Sequence, residues 1–276
     1  MALQPSNKSF RPGQLWPDNQ GVHINAHGGG ILFHAGVYYW FGEHKIEGEA
    51  GNTAHVGVHV YSSTDLYNWR DEGIALAVSD DPQSSITRGC ILERPKVIFN
   101  PRSKKFVMWF HLEPKDTGYA GALSGVAVAD NATGPYQFLN AFRPNAGVWP
   151  LNVSASDQCE LSEQRLTELA AMDLNGAPRP YYPKHELFRR DFAGGQMARD
   201  MSLFVDDDGS AYHLYASEGN GTLHISQLSA DFLSPSGKYI RVLPGRFNEA
   251  PALMKWSGRY FMFAKQRRHG SLFPYV

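Results

Sequence analysis

The chain has 276 residues, of which 42% are hydrophobic and 13% aromatic, and its formal net charge is −1 at pH 7. A charge so close to zero gives no electrostatic basis for binding nucleic acid or an anionic membrane surface. No apolar run reaches the length of a transmembrane helix, and the two cysteines are too few for a disulfide framework.

Four short cassettes along the chain predict β-hairpins. Each joins an apolar strand to an aromatic strand across a tight polar turn, and they lie at 28–43, 93–111, 200–217 and 249–264. Asp208-Gly209 and Ser257-Gly258 are turn dipeptides in which glycine supplies a positive φ. The DDDG run at 206–209 is interpreted as such a turn rather than a calcium loop, because the ligand spacing of an EF-hand is missing.

A second strand pair is predicted after each of the first three cassettes, within 55–69, 124–138 and 223–232. The segments GVHV (57–60) and GVAV (125–128) alternate inward and outward positions, which is typical of strands. Two hairpins per repeat make a four-stranded antiparallel unit, and repeated units of this length indicate blades arranged around an axis. An all-β sandwich is the alternative.

One helix-length amphipathic pattern competes with the strands, at Ser162–Met172. It lies inside an insertion at about 145–196 that separates the second and third repeats by more than a loop requires. Long structured insertions are often functional. We therefore expect a single domain over 1–276, with an insertion that walls a pocket.

The glycine-rich run His27–Gly30 is similar to the oxyanion loop of esterases. Esterase chemistry also needs a G-x-S-x-G nucleophile elbow, which the chain lacks. We interpret the glycines as letting the backbone approach the axis around which the repeats are arranged, with His27 lining the pocket.

Three of the four cassettes open on a carboxylate, namely Glu93, Asp200 and Glu249. If equivalent blade positions face one axis, these side chains converge despite their separation along the chain. Clustered carboxylates are the groups that glycoside hydrolysis uses.

Five motifs lie in order along most of the chain: INAHGGG with YYWFGEH (24–44), SSTDLYNW (62–69), ERPKVIFN (93–100), ARDMSLFVDDDG (198–209) and NEAPAL (248–253). In these motifs the chain resembles glycoside hydrolase family 43, and most of all its exo-β-1,3-galactanase branch. The resemblance implies an all-β, five-bladed β-propeller with about four blades present, and no metal or cofactor. It also implies a monomeric, inverting, exo-acting hydrolase of β-1,3-galactan or arabinogalactan-type polysaccharide.

The resemblance also implies roles for the three carboxylates. Glu249 matches the general acid, Glu93 the carboxylate that tunes the acid's pKa and contacts the sugar, and Asp200 an acceptor for a sugar hydroxyl. Each carboxylate also has a structural alternative: Glu249 as a surface glutamate, Glu93 in an ion pair with Arg94, and Asp200 as the cap of a turn. Neighbouring carboxylates would raise the pKa of Glu249, and the cations of Arg94 and Lys96 are expected to keep Glu93 ionised.

No residue is assigned as the base that activates water. Most family members carry an aspartate where this chain reads 25–30 without a carboxylate, and the galactanase branch shares that departure. Glu43 matches a sugar contact of the branch, and His27, Tyr119 and Glu218 complete the substrate-binding candidates. The missing aspartate leaves a non-catalytic carbohydrate-binding propeller open. An α-L-arabinofuranosidase or a β-xylosidase is the nearer alternative.

The two ends of the sequence lead to predictions about cellular location and completeness. The N-terminal 21 residues lack the apolar core of a signal peptide, so the chain as written is expected in the cytoplasm, or outside it if a leader is missing from the gene model. The stretch from Lys265 to Val276 departs from the family pattern, which continues into a fifth blade. We expect a truncated, marginally stable chain with weak or no turnover.

Overall fold

The computed structural model describes residues 7–172 and 182–266. Within these ranges the strands form three four-stranded antiparallel sheets and one two-stranded hairpin, which confirms the all-β prediction. No helix in these ranges is long and apolar enough to cross a bilayer. Most of the C-terminal stretch for which truncation is expected, and residues 173–181 of the expected insertion, lie outside the described residues.

Strands follow one another in space as they do along the chain. The first sheet contains β1 (His27–His34), β2 (Val37–Lys45), β3 (His55–Ser63) and β4 (Arg70–Ala77). The second contains β5 (Ile91–Asn100), β6 (Lys105–Glu113), β7 (Leu123–Ala129) and β8 (Gln137–Phe142). The third contains β9 (Met201–Val205), β10 (Ala211–Ser217), β11 (Thr222–Leu228) and β12 (Pro235–Val242). The hairpin joins β13 (Asn248–Trp256) to β14 (Arg259–Gln266), and the α-helices are α1 (Glu163–Ala171) and α2 (Leu187–Arg190).

All four cassettes form hairpins, as predicted. Ser257 and Gly258 have φ of 49° and 72°, the signs that a two-residue type I′ turn requires. The turn at 206–209 is closed by a 2.9 Å bond from the Asp206 amide to the Ser210 carbonyl, which confirms its interpretation as a turn. The outer strands β4 and β12 begin just beyond the segments predicted for them, because residues such as Asp65 fold the intervening stretch into a turn.

The described chain divides into two compact units. Unit 1 runs up to Phe142 and includes Ser229–Ser234, and unit 2 takes the remaining residues. In unit 1 the apolar faces of the first and second sheets form one core, with Phe41, Met108 and Phe110 fully buried. Full burial of each such side chain contributes about 1.5–3 kcal/mol.

Unit 2 contains the predicted helix as α1. The Ser162 side chain accepts a hydrogen bond from the Arg165 amide at 3.3 Å, so it caps the helix as serine often does. Leu169 is the buried residue of α1 and packs in a cluster with Leu187 of α2 and Phe247. The described part of the expected insertion is therefore an ordered piece of unit 2.

Candidate active site

Three of the four hairpins contain the same backbone device near the start of their first strand, a β-bulge. The opening residue of each bulge pairs with a residue near the end of the second strand, as His27 with Glu43, Glu93 with His111, and Glu249 with Lys265. The register then shifts within three residues, and the residue after the opening has a positive φ, 59° at Gly28, 56° at Arg94 and 50° at Ala250. A bulge re-aims the side chains beside it. The device therefore sets the direction of both Glu93 and Glu249.

A carboxylate from a neighbouring hairpin holds two of these bulges. The Arg94 amide donates to Glu43 Oε1 at 3.0 Å, within unit 1. The Ala250 amide donates to Asp200 Oδ2 at 3.1 Å, within unit 2. Each bond fixes the backbone immediately after a candidate catalytic carboxylate, so Glu43 and Asp200 have equivalent structural roles.

Glu93 is held ionised by the residues across from it. His111 Nδ1 lies 3.1 Å from Glu93 Oε2, and the Tyr119 hydroxyl donates to Oε1 at 2.9 Å. Burial alone would raise the pKa of Glu93, but these hydrogen bonds and the charge of His111 outweigh it and lower the pKa to about 2. Since the Glu93 side chain is still 15% exposed, it offers a charged oxygen at an accessible position.

The groups that keep Glu93 ionised differ from Arg94 and Lys96, the cations that the sequence suggests. Lys96 Nζ donates to the main-chain carbonyl of Gly28 at 3.0 Å, and the cation that further lowers the pKa of Glu93 is Lys45. The expectation that Glu93 is ionised agrees with the structure, but its main cause lies on β6. The Arg94 amide donates to Glu43, and Lys96 Nζ donates to the main-chain carbonyls of Gly28 and Arg94 next to the bulge.

Glu43 is almost fully buried and connects the first sheet to the second. Its Oε2 lies 3.2 Å from His27 Nδ1 and 2.9 Å from Lys45 Nζ, while the His27 side chain is 70% exposed. A Cβ atom at Gly28 would clash with Glu43 Oε1, and its φ of 59° also favours glycine. At Gly28 the approaching group is the Glu43 carboxylate, and the predicted approach of this backbone to the axis of the repeats stays a prediction.

Hydrogen bonds join Glu43 to Glu93 through Lys45, Asn52 and Tyr119, of which Tyr119 was predicted from the sequence. Lys45 Nζ donates to Asn52 Oδ1 at 2.9 Å, and Asn52 Nδ2 donates to the Tyr119 hydroxyl at 2.6 Å. Four predicted site residues of unit 1 therefore belong to one network: His27, Glu43, Glu93 and Tyr119. Asn52 follows no strand or turn pattern, whereas Lys45 lies two residues beyond Glu43 on the same strand face.

In unit 2 the structure brings Asp200 and Glu249 together. Asp200 comes directly before β9, where its carbonyl accepts from the Ala216 amide at 3.1 Å, and its carboxylate holds the bulge after Glu249. Glu249 is half-buried, and its Oε1 accepts from Asn220 Nδ2 at 3.1 Å. Asn220 was not among the predicted residues.

Glu218 is a predicted substrate contact, but its carboxylate is enclosed by other protein groups. It is fully buried, and its oxygens accept from His224 Nε2 at 2.9 Å, Thr222 Oγ1 at 2.8 Å and two Arg241 nitrogens at 2.6 and 2.8 Å. Burial opposes ionisation, but these partners lower the pKa of Glu218 to about 2. A carboxylate has about four lone-pair sites, and four donors use them. The geometry therefore favours a structural role over the predicted sugar contact.

Residues 7–172 and 182–266 were predicted to hold no metal ion, and they also form a cavity away from the predicted site. No group of three or more His, Cys, Asp or Glu side chains is arranged there to hold a metal ion. A cavity of about 810 Å³ in unit 1 is lined by Trp16, Asp65, Asn68 and their neighbours, and it contains none of the predicted site residues. The ring of Trp16 packs edge-on against Trp40 and Trp69, so it has a core role.

Solved structures resemble the chain over almost its whole length. A β-1,3-galactosidase of glycoside hydrolase family 43, solved with galactodeoxynojirimycin, shares 49% identity over 93% of this chain and 73% of that chain, with a TM-score of 0.84. An exo-β-1,3-galactanase from Phanerochaete chrysosporium, solved with galactose, shares 31% identity over 93% of this chain and 47% of that chain, with a TM-score of 0.68. An exo-β-1,3-galactanase from Clostridium thermocellum shares 28% identity over 93% and 46%, with a TM-score of 0.69.

The chain thus spans less than half the length of these two galactanase chains. No protein-family model and no curated protein matches it. An α-L-arabinofuranosidase from Clostridium thermocellum, at 20% identity and a TM-score of 0.53, is similar in fold alone.

Proposed function

Because this chain belongs to glycoside hydrolase family 43, we propose that it is an exo-acting glycosidase that hydrolyses β-1,3-linked galactan with inversion. The observation that carries the proposal is the 49% identity to a β-1,3-galactosidase over 93% of the chain. We further propose that the antiparallel sheets are blades of the family's five-bladed β-propeller, that 1–276 is one domain, and that the chain acts as a monomer.

The roles of the two glutamates follow from their surroundings. An inverting glycosidase needs one protonated carboxylic acid to donate to the leaving oxygen. Glu93, with a pKa of about 2, does not hold a proton at neutral pH, so it is assigned to electrostatic stabilisation and to sugar contact. Glu249 is half-buried, and within residues 7–172 and 182–266 its carboxylate accepts a side-chain hydrogen bond from the neutral amide of Asn220 alone. It is assigned as the general acid.

The remaining candidates orient these groups and the sugar. Asp200 holds the bulge next to Glu249, and Glu43 holds the bulge next to Glu93. Tyr119, which is 43% exposed, offers an aromatic face next to the Glu93 carboxylate. Sugar sites combine such faces with a few polar groups that bind hydroxyls.

The test is hydrolysis of linear β-1,3-galactan by the purified chain. We expect galactose to be released from chain ends, with the α-anomer appearing first in ¹H NMR because the β-linkage is inverted. Nitrophenyl galactosides, arabinofuranosides and xylosides compare the sugars directly. On galactan itself, Glu249→Gln with wild-type thermal unfolding is the control whose turnover should be strongly reduced.

Two outcomes would contradict the proposal. Release of arabinose or xylose in preference to galactose would assign the chain to another specificity of the family. Binding to galactan without turnover of any sugar would favour a non-catalytic carbohydrate-binding protein.

A further inference from the structure

Glu113 is a fully buried carboxylate that none of the sequence motifs contains. It ends β6 and is 0% exposed. Its Oε1 lies 2.9 Å from His111 Nε2, and its Oε2 accepts from the Ala122 amide at 2.8 Å. A buried charge is costly unless it is paired and hydrogen-bonded, so both contacts matter for where this carboxylate lies.

His111 lies between two carboxylates. Its Nε2 faces Glu113 at 2.9 Å and its Nδ1 faces Glu93 at 3.1 Å. A neutral imidazole donates from one ring nitrogen only and would turn the lone pair of the other toward a carboxylate. Both contacts are satisfied at once by the imidazolium. Burial opposes that charge, yet the two glutamates raise the pKa of His111.

The second oxygen of Glu113 fixes the loop that follows β6. Ala122 donates to it from a backbone with φ of 48°, and a Cβ atom at Gly121 would lie 2.8 Å from the same oxygen. The loop between Glu113 and Ala122 carries Tyr119, whose hydroxyl donates to Glu93 Oε1 at 2.9 Å. One carboxylate is therefore connected to both oxygens of Glu93, to one through His111 and to the other through the loop.

We propose that Glu113 is a positioning residue, which holds the Glu93 carboxylate in place and in its charged form through His111 and the 114–122 loop. The proposal rests on the function proposed above for Glu93. The titratable and charged groups around Glu93 and Glu113 come from four strands and one loop: His111 and Glu113 on β6, Lys45 on β2, His55 on β3, Glu93 itself on β5, and Tyr119 on the loop.

The experiment compares Glu113→Gln with the wild type. Glutamine keeps the shape and an acceptor for Ala122 but removes the charge that His111 faces. In the wild type at pH 7, ¹⁵N NMR should show both ring nitrogens of His111 protonated, and Glu113→Gln should convert the ring to a neutral tautomer. The acid limb of kcat/KM on galactan should move up by about one pH unit, a roughly tenfold loss at a given pH on that limb.

Two further variants separate the two connections. Tyr119→Phe removes the donor to Glu93 Oε1, so it should raise the apparent pKa of the acid limb of kcat/KM. The ¹⁵N signals of His111 should remain those of an imidazolium. Glu160→Gln makes the same chemical change at an exposed position of unit 2 and should alter neither readout.

The outcomes are distinguishable from failure of the proposed function. A neutral His111 in the wild-type spectrum overturns the proposal, and that measurement needs no variant to fold. An unchanged acid limb in a folded Glu113→Gln also overturns it. If Glu93→Gln keeps full kcat/KM, the catalytic assignment of Glu93 fails and this proposal fails with it, whatever the NMR shows.

Discussion

The rate enhancement that Glu249 provides as a general acid should be larger for a substrate with a poorer leaving group. Glu249→Gln removes the proton but keeps the acceptor for Asn220. We expect kcat on galactobiose to fall by about 10²–10⁴-fold, the usual contribution of general acid catalysis. Nitrophenyl galactoside, whose leaving group needs no protonation, should lose far less.

The comparison of substrates is its own control, because a folding defect would reduce both rates by the same factor. Equal losses on galactobiose and on the nitrophenyl substrate would therefore remove Glu249 from the acid role.

Single residues differ in how far the sequence reveals them. Glu93 and Glu249 lie in recognisable motifs, and their surroundings in the structure suit the catalytic roles proposed for them. His111 and Glu113 were missed as partners because their contacts with Glu93 depend on which residues face each other across β5 and β6. The sequence does not state that register. Glu218 is a predicted pocket residue from its place after an aromatic strand, and only the structure shows that four donors surround its carboxylate.

Among the elements, the bulge that opens β13 makes a sharp stability prediction. Ala250 has φ of 50°, a left-handed conformation that costs an L-residue roughly 1–2 kcal/mol. Ala250→Gly should therefore leave the free energy of unfolding unchanged or raise it by up to about 1 kcal/mol. Ala250→Val should lower it by more than about 1 kcal/mol, because a β-branched side chain tolerates this region least.

Ala252 is the matched control, since it is exposed on the same strand and its φ is not positive. There the order should reverse, with glycine destabilising and valine tolerated. Urea titration at pH 7 measures all four variants. The same ranking at both positions would contradict the strained bulge.

The hairpins themselves were predictable, and their bulges were not. Alternating apolar residues and turn dipeptides such as Ser257-Gly258 mark a strand pair with period two. A bulge adds one residue to one strand without leaving a signal in that period. It was detectable only as a repeated structural feature at Gly28, Arg94 and Ala250, once the register was known. The helix at Glu163–Ala171 was predictable because its spacing and its serine cap are both local.

For the molecule as a whole, stability should fall as the pH falls from 6.5 to 2. Burial lowers the pKa of His55 to about 4 and of His213 to about 3, so the unfolded chain takes up these protons first, below pH 6.5. Glu93 and Glu218, each with a pKa of about 2, add a second loss below their ordinary value of 4.5. His111 acts oppositely, and its contribution is lost as the pH rises through its raised pKa.

Chemical denaturation at a series of pH values measures this slope. His213→Phe should flatten it between pH 6.5 and 3, because the variant has no imidazole to protonate there. His185→Phe, at an exposed position, should leave the slope unchanged. A wild-type free energy of unfolding that does not vary between pH 6.5 and 3 would contradict the prediction.

The hydrogen bond from Trp109 Nε1 to the Phe232 carbonyl, 2.9 Å long and fully buried, has a consequence for protein synthesis. Unit 1 includes Ser229–Ser234, but Phe232 of this segment leaves the ribosome 123 positions after Trp109. At about 5–20 residues per second this is a wait of roughly 6–25 s. During that time the indole N–H has no Phe232 carbonyl to donate to, so we expect the second sheet to complete its buried hydrogen bonding only after most of unit 2 has been synthesised.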